Sequence, residues 1–208
     1  MPTLLDSTSL DSMERQVRTT LINSLSGVRT AFIGITADSN GRLNASTLSN
    51  VTHVSAHPAQ ISVLFRPDNG KRHTLNNFIN GSPLTLICMP FNQVSVVHEV
   101  SMNAPEGTFE LDVLEVATYH VEGCPHPLPK DYLYAISLEF VERFNLNNGC
   151  IYTIGQIKSI AIGAALKVDE EGQISFSTPP TLAIGLRQYT TTETDIKLPY
   201  PNTAKYGF

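Results

Sequence analysis

The chain has 208 residues, 41% of them apolar and 16% charged, which is enough to bury a sizeable core and excludes a globally disordered polymer. Its formal net charge of −5 runs against a dedicated nucleic-acid binder, which carries a basic surplus or stripe. No stretch approaches the ~18 consecutive apolar residues of a membrane span.

Residues 9–26 read as an amphipathic helix. Ser9 or Ser12 caps it, Met13, Val17, Leu21 and Leu25 make an i, i+4 stripe predicted to pack on a barrel, and Gly27 ends it. Ahead of it, MPTLLDSTSLDSMERQ has neither a basic start nor an apolar stretch, so no secretory signal is expected. Arg29 to Ala37 has strand composition and stops at Asp38-Ser39-Asn40-Gly41, where Asn-Gly signals a hairpin.

The partner strand begins near Arg42 and enters a polar stretch, Asn44 to Thr74. If Thr47 to Ser55 is extended, it spans roughly 26 Å and puts Thr47, Ser49 and Ser55 on one face. Pro58 breaks the run, Ile61 to Arg66 makes a third strand, and a basic turn follows at Lys71-Arg72-His73-Thr74. Cations, a hydroxyl and the free amides of a helix start make that turn an anion seat. The plainer alternative is a polar edge strand followed by a solvated loop.

Thr74 to Ile79 reads as a short helix closed by Asn80-Gly81, and Leu84 to Met89 as a buried strand. Residues 92–101 fit either helix or strand. An acidic, proline-bearing excursion follows, with an extended tip between Glu122 and Lys130. Its Glu106 to Glu122 segment is either a solvated face or a cover over a ligand, with Phe109 as an apolar wall. Tyr134 to Phe144 and Ile151 to Ile162 are two long strands joined by a turn at residues 145–149. Val168 to Phe176 adds a hairpin through Glu171-Gly172, and Leu182 to Leu186 leads to a polar, proline-bearing tail. Short strands dominate without βαβ alternation, which favours an antiparallel barrel with covering helices. One domain over residues 1–208 is expected, with 1–12 and 202–208 as terminal extensions.

Cys88, Cys124 and Cys150 form neither a disulfide framework nor a zinc pattern, and a reducing cytoplasm suits them. Six histidines are scattered without zincin spacing, and G-x-S-x-G is absent, so neither metal nor hydrolase chemistry has an anchor. On a strand, adjacent His98 and Glu99 point apart. Tyr189 either stacks near a ligand or fills the barrel mouth.

The order of these pieces resembles the flavin reductase-like family of FMN-binding split barrels. The resemblance runs from about Met13 to Pro201 and is carried by Thr47-Leu48-Ser49-Asn50, Val54-Ser55-Ala56-His57-Pro58-Ala59, Lys71-Arg72-His73-Thr74, Gly185-Leu186-Arg187-Gln188-Tyr189 and Leu198-Pro199-Tyr200-Pro201. Departures are His57 for the family's aspartate, Ala59 for its second proline, and Ser82-Pro83 before the buried strand.

The resemblance implies a mainly β fold, an antiparallel Greek-key split β-barrel with flanking helices, and an FMN site. Thr47, Leu48, Ser49 and Asn50 would follow the polar edge of the isoalloxazine. Ser55 and Ala56 would lie near the ribityl-phosphate end, with Lys71, Arg72, His73 and Thr74 completing the phosphate seat. The implied activity is that of an NAD(P)H-dependent flavin reductase-like oxidoreductase, with NADH or NADPH as co-substrate and an unnamed electron acceptor. The alternative is an FMN-binding electron-transfer or flavin-storage module without efficient NAD(P)H turnover. The family also implies a homodimer, with no nucleic acid or membrane partner. No G-x-G-x-x-G fingerprint for a dinucleotide is present, and the family does without one.

Overall fold

Two carboxylates, not one serine, start the N-terminal helices. The structure, a computed structural model, describes residues 4–68, 70, 72–102, 104–194 and 196. Asp6 caps α1 (Ser7–Ser12) by accepting from the Ser9 amide at 2.8 Å, and Glu14 caps α2 (Arg15–Leu25) by accepting from the Val17 amide at 3.0 Å. The single helix expected over residues 9–26 is therefore broken at Met13–Glu14, because Glu14 satisfies an orphan amide of a second helix start. The expected packing of its stripe holds only in part. Met13 and Leu21 are half-buried, but no residue of α2 is fully buried, and Val17 and Leu25 are 57% and 72% exposed.

The strand expected over 29–37 divides into β1 (Val28–Thr30) and β2 (Phe32–Ala37), because the Ala31 amide donates to the Thr181 carbonyl at 3.1 Å. β3 (Leu43–Leu48) pairs with β2 across the Asn-Gly turn, Ala37 opposite Leu43. The extended run expected from Thr47 to Ser55 is interrupted: β3 ends at Leu48, and β4 (Val51–Ala56) begins after Ser49-Asn50. A cis His57–Pro58 bond then turns the chain into β5 (Ala59–Phe65).

After α3 (His73–Ile79) come β6 (Leu84–Cys88) and α4 (Val94–Glu99), so the ambiguous segment 92–101 is helical. The acidic excursion holds α5 (Glu110–Val113), β7 (Thr118–Tyr119) and β8 (Leu128–Pro129). The two long strands are β9 (Tyr134–Asn145) and β10 (Ile151–Ile162). The chain then adds β11 (Leu166–Val168), β12 (Ile174–Phe176), β13 (Leu182–Ile184) and β14 (Gln188–Thr190).

Seven strands form one antiparallel sheet in the order β3-β2-β6-β9-β10-β5-β4. Its two edges, β3 and β4, are consecutive in the chain. A flat sheet would hold those edges about 29 Å apart, six gaps of ~4.8 Å. Leu48 and Val51, however, are three peptide steps apart and cannot be separated by more than about 11 Å. The sheet therefore curls until its edges meet, and the Leu64 amide donates to the Asn50 carbonyl at 2.9 Å beside that seam. The fold is mainly β and barrel-like, as expected.

Alternation along β2 and β6 feeds two cores. Ile33, Ile35 and Ile87 pack on one face with Leu111 and Leu128, and Phe32, Leu84 and Leu86 pack on the other with Leu75 and Phe78 of α3. The Asn77 side-chain amide donates to the Thr36 hydroxyl at 3.1 Å and fixes α3 against β2. Phe78 meets Phe140 edge to face, with centroids 5.6 Å apart. Gly155 of β10 makes room for this: a Cβ there would sit 2.9 Å from the Leu138 Cβ and 3.1 Å from the Phe78 ring.

Beneath the excursion, His126 is buried and its Nδ1 stands 2.9 Å from the buried Thr85 hydroxyl. Burial pulls the His126 imidazole down to about 4, so it is neutral at pH 7. Among the described residues no helix is long and apolar enough to cross a membrane.

Candidate functional site

A cleft of about 1510 Å³ opens at the barrel seam, larger than the roughly 300–1,000 Å³ of a pocket for one drug-sized ligand. Its floor is β3 with Ser49-Asn50. One side is the end of β5 and the start of α3; the other is α2 and the turn between β13 and β14.

Short side chains line the floor. Thr47, Leu48, Ser49 and Asn50 all border the cleft, as do Ala45 and Ser46. The Thr47 hydroxyl donates to the Val97 carbonyl at 2.5 Å and is held by α4. Ser49 and Asn50 side chains have no hydrogen-bond partner among the described residues, leaving their polar groups available to a ligand.

Of the basic turn, Arg72, His73 and Thr74 line the cleft, and Lys71 lies outside the described residues. Thr74 is buried, and its hydroxyl donates to the Ser46 hydroxyl at 2.8 Å while accepting from the Asn44 side-chain amide at 2.7 Å. It ties α3 to β3. With seven residues, α3 is a short helix, so the charge on this side is carried by the guanidiniums of Arg72 and of Arg66 at the end of β5, with the His73 ring beside them. Ser55 and Ala56 are not among the cleft residues. They pair with Gln60 and Ala59 at the tip of the β4–β5 hairpin, and the Ser55 hydroxyl accepts from the His57 amide at 3.2 Å. The break at Ser49-Asn50 carries β4 along the opposite sheet edge, so these two residues are not brought together with the rest.

Charge in the cleft is unevenly committed. Four of the chain's eight arginines, Arg15, Arg66, Arg72 and Arg187, line it. So do three carboxylates, each already held by the protein. Glu14 caps α2, Glu106 pairs with Arg42 at 3.4 Å, and buried Glu110 accepts from the Ala45 amide at 2.6 Å. Burial pushes the Glu110 carboxyl above the ordinary range, against the pull of the Ala45 and Glu110 amides and of nearby His73. Arg15, Arg66 and Arg187 make no ion pair among the described residues. A cleft with bound carboxylates and unpaired guanidiniums is built for anions.

Tyr189 belongs to the cleft wall, and its hydroxyl is 3.1 Å from His98 Nδ1, in an edge-to-face contact with centroids 5.6 Å apart. Burial raises the Tyr189 phenol. His98 sits in the last turn of α4, not on a strand. Phe109 packs against the core cluster and is not a wall of the cleft; Glu106 and Glu110 are the parts of the excursion that reach it. Reasoning from sequence missed Arg15, Arg66, Arg187 and Glu110. Two of them carried a usable signal: Arg66 as the cation closing the strand that begins at Ile61, and Arg187 as part of Gly185-Leu186-Arg187-Gln188-Tyr189, where no role was assigned to it.

A curled antiparallel sheet with a cationic, short-side-chain cleft at its seam is a split barrel. The chain belongs to the flavin reductase like domain family, whose model matches residues 26–175. No curated protein is similar enough in sequence to count as a relative. Among solved structures, a flavin reductase-type split-barrel protein from Shewanella frigidimarina is 25% identical, with a TM-score of 0.87 over 96% of this chain and 100% of that one. An FMN-binding protein from Thermus thermophilus, solved with 1-cyclohex-2-enone, is 17% identical, with a TM-score of 0.67 over 83% of this chain and 91% of that one. An NADH:FAD oxidoreductase from Streptomyces globisporus is 11% identical, with a TM-score of 0.68 over 93% of this chain and 99% of that one.

Proposed function

We propose that the protein is an FMN-binding oxidoreductase that takes reducing equivalents from a nicotinamide nucleotide and passes them to a further acceptor. The observation that carries this reading is the cleft's division into a floor of short polar side chains and a side of cations. A flat heterocycle needs small, fixed donors and acceptors along its rim, which Ser46 to Asn50 supply. A phosphate monoester of about −1.5 to −2 charges needs guanidinium N–H groups to meet it, which Arg66 and the terminal nitrogens of Arg72 supply with His73 beside them, the Arg72 Nε donating to the Pro67 carbonyl at 3.4 Å. The donor set thus fits a flavin mononucleotide.

When bound, the flavin supplies hydride and single-electron chemistry that side chains lack. The chain's own contribution is orientation. Thr74 locks the cation-bearing start of α3 to β3, Thr47 fixes the floor to α4, and the buried Glu110 carboxyl holds the Ala45 amide in place. Ser55 and Ala56 have no part in this reading of the cleft. A cleft of about 1510 Å³ also leaves space for a second ligand against the first, which favours turnover over storage.

We further infer a homodimer in the cytoplasm. Ile160 and Ile162 of β10 and Phe144 of β9 are exposed apolar side chains that a second copy would cover, and the three free cysteines suit a reducing compartment.

Anaerobic titration of the FMN-loaded protein tests the function. Bleaching of the flavin absorbance by NADH or NADPH is the expected result. Retained flavin that neither nucleotide reduces would make the protein an electron-transfer or storage module. Failure of FMN to raise the melting temperature would overturn the flavin reading.

A further inference from the structure

Beyond the α2 side of the cleft lies a second cavity of about 400 Å³. Thr20, Leu186 and Arg187 border both spaces, so the two are immediate neighbours. Ile184 and Leu186 give the smaller one an apolar wall, and Thr20, Ser24 and Gln188 give it polar groups. Its shape depends on a close backbone approach: at Gly185, φ +72°, a Cβ would lie 2.7 Å from the Ser24 hydroxyl, so the β13–β14 turn sits directly on α2.

The helix on this side is turned the unusual way round. Arg15, Thr19 and Asn23, spaced i, i+4, i+8, face the cleft together with Gln16 and Thr20, while Val17 and Leu25 face outward. Arg187 adds a guanidinium that no described carboxylate engages, since Glu14, Glu106 and Glu110 are committed elsewhere. The first anion of the cleft is served by Arg66 and Arg72 on its other side, so Arg187 is free for a second.

We propose that the smaller cavity seats the adenosine end of the second nucleotide and that Arg187 receives a phosphate monoester on its ribose, so that the protein selects the phosphorylated nicotinamide dinucleotide over the unphosphorylated one. The proposal rests on the flavin reading of the main cleft. A cavity of this size suits a nucleoside, with the base against Ile184 and Leu186. The planar fork of Arg187 matches a phosphate monoester, and the unphosphorylated nucleotide offers nothing to it.

Isothermal titration of the full chain, with and without FMN, tests this with adenosine 2′,5′-bisphosphate and 5′-AMP as probes. The bisphosphate binds the unaltered protein tighter by about tenfold or more, the scale of one charge-assisted contact. Arg187→Ala removes that preference, Arg187→Lys restores part of it, and Thr20→Trp weakens both probes by filling the cavity. Equal affinity for the two probes, no binding of either at millimolar concentration, or a preference that survives Arg187→Ala would overturn the proposal. Because the probes are also titrated without FMN, loss of FMN binding would count against the flavin reading alone.

Discussion

The Thr74 hydroxyl donates to the Ser46 hydroxyl across 2.8 Å and joins the first turn of α3 to edge strand β3. The two residues are 28 apart in sequence, and the Asn44 side-chain amide completes the link by donating to the same hydroxyl at 2.7 Å. The cation side of the cleft is thereby held at a fixed distance from its floor. Thr74→Val removes both bonds at nearly constant volume and is expected to cost about 1–2 kcal/mol in urea unfolding. It also weakens FMN in a fluorescence-quenching titration, while Thr74→Ser keeps the hydroxyl and most of both properties.

His126 makes stability depend on pH. Its folded-state pKa is lowered to about 4 from an unperturbed value near 6.5, so the unfolded chain binds more protons between those limits. The stabilisation is complete above the unfolded value and is lost as pH falls from about 6.5 towards 4, by about 3 kcal/mol in all. His126→Gln, which keeps a polar group for Thr85 but does not titrate, is expected to flatten that part of the stability–pH curve measured by urea unfolding at pH 4.5 and 7.5.

Gly155→Ala tests the barrel interior. The added methyl meets the Leu138 Cβ at 2.9 Å and the Phe78 ring at 3.1 Å, neither of which is the loose end of a flexible chain. Overpacking of this kind costs about 1–3 kcal/mol, read as a lower unfolding midpoint. Because Phe78 and the cation-bearing start share α3, FMN affinity should fall with it.

Elements whose signal is local were legible in the sequence. The Asn40-Gly41 turn, the alternation of β9 and β10, and the apolar run of β6 each appear where the residues alone place them. The N-terminal helix was misjudged because Glu14 looks like an ordinary helix residue until its carboxylate is seen capping α2. The run from Thr47 to Ser55 looked continuous because its polar composition hides the corner at Ser49-Asn50. That corner exists only because the sheet closes on itself. Within the site, the contiguous residues Thr47 to Asn50 and Arg72 to Thr74 were singled out from the sequence, and the fold sets them along one cleft. Arg187, Glu110 and the Tyr189–His98 contact were not singled out, since 91 residues separate the last pair and no short window contains them.

The seam cleft as a seat for a flavin mononucleotide is tested most directly by comparing FMN with riboflavin on the double variant Arg66→Ala, Arg72→Ala. The two ligands differ only in the phosphate. Loss of two charge-assisted contacts should weaken FMN by about a hundredfold and riboflavin by less than about threefold. Equal weakening of both ligands, or FMN affinity that does not change, would contradict it.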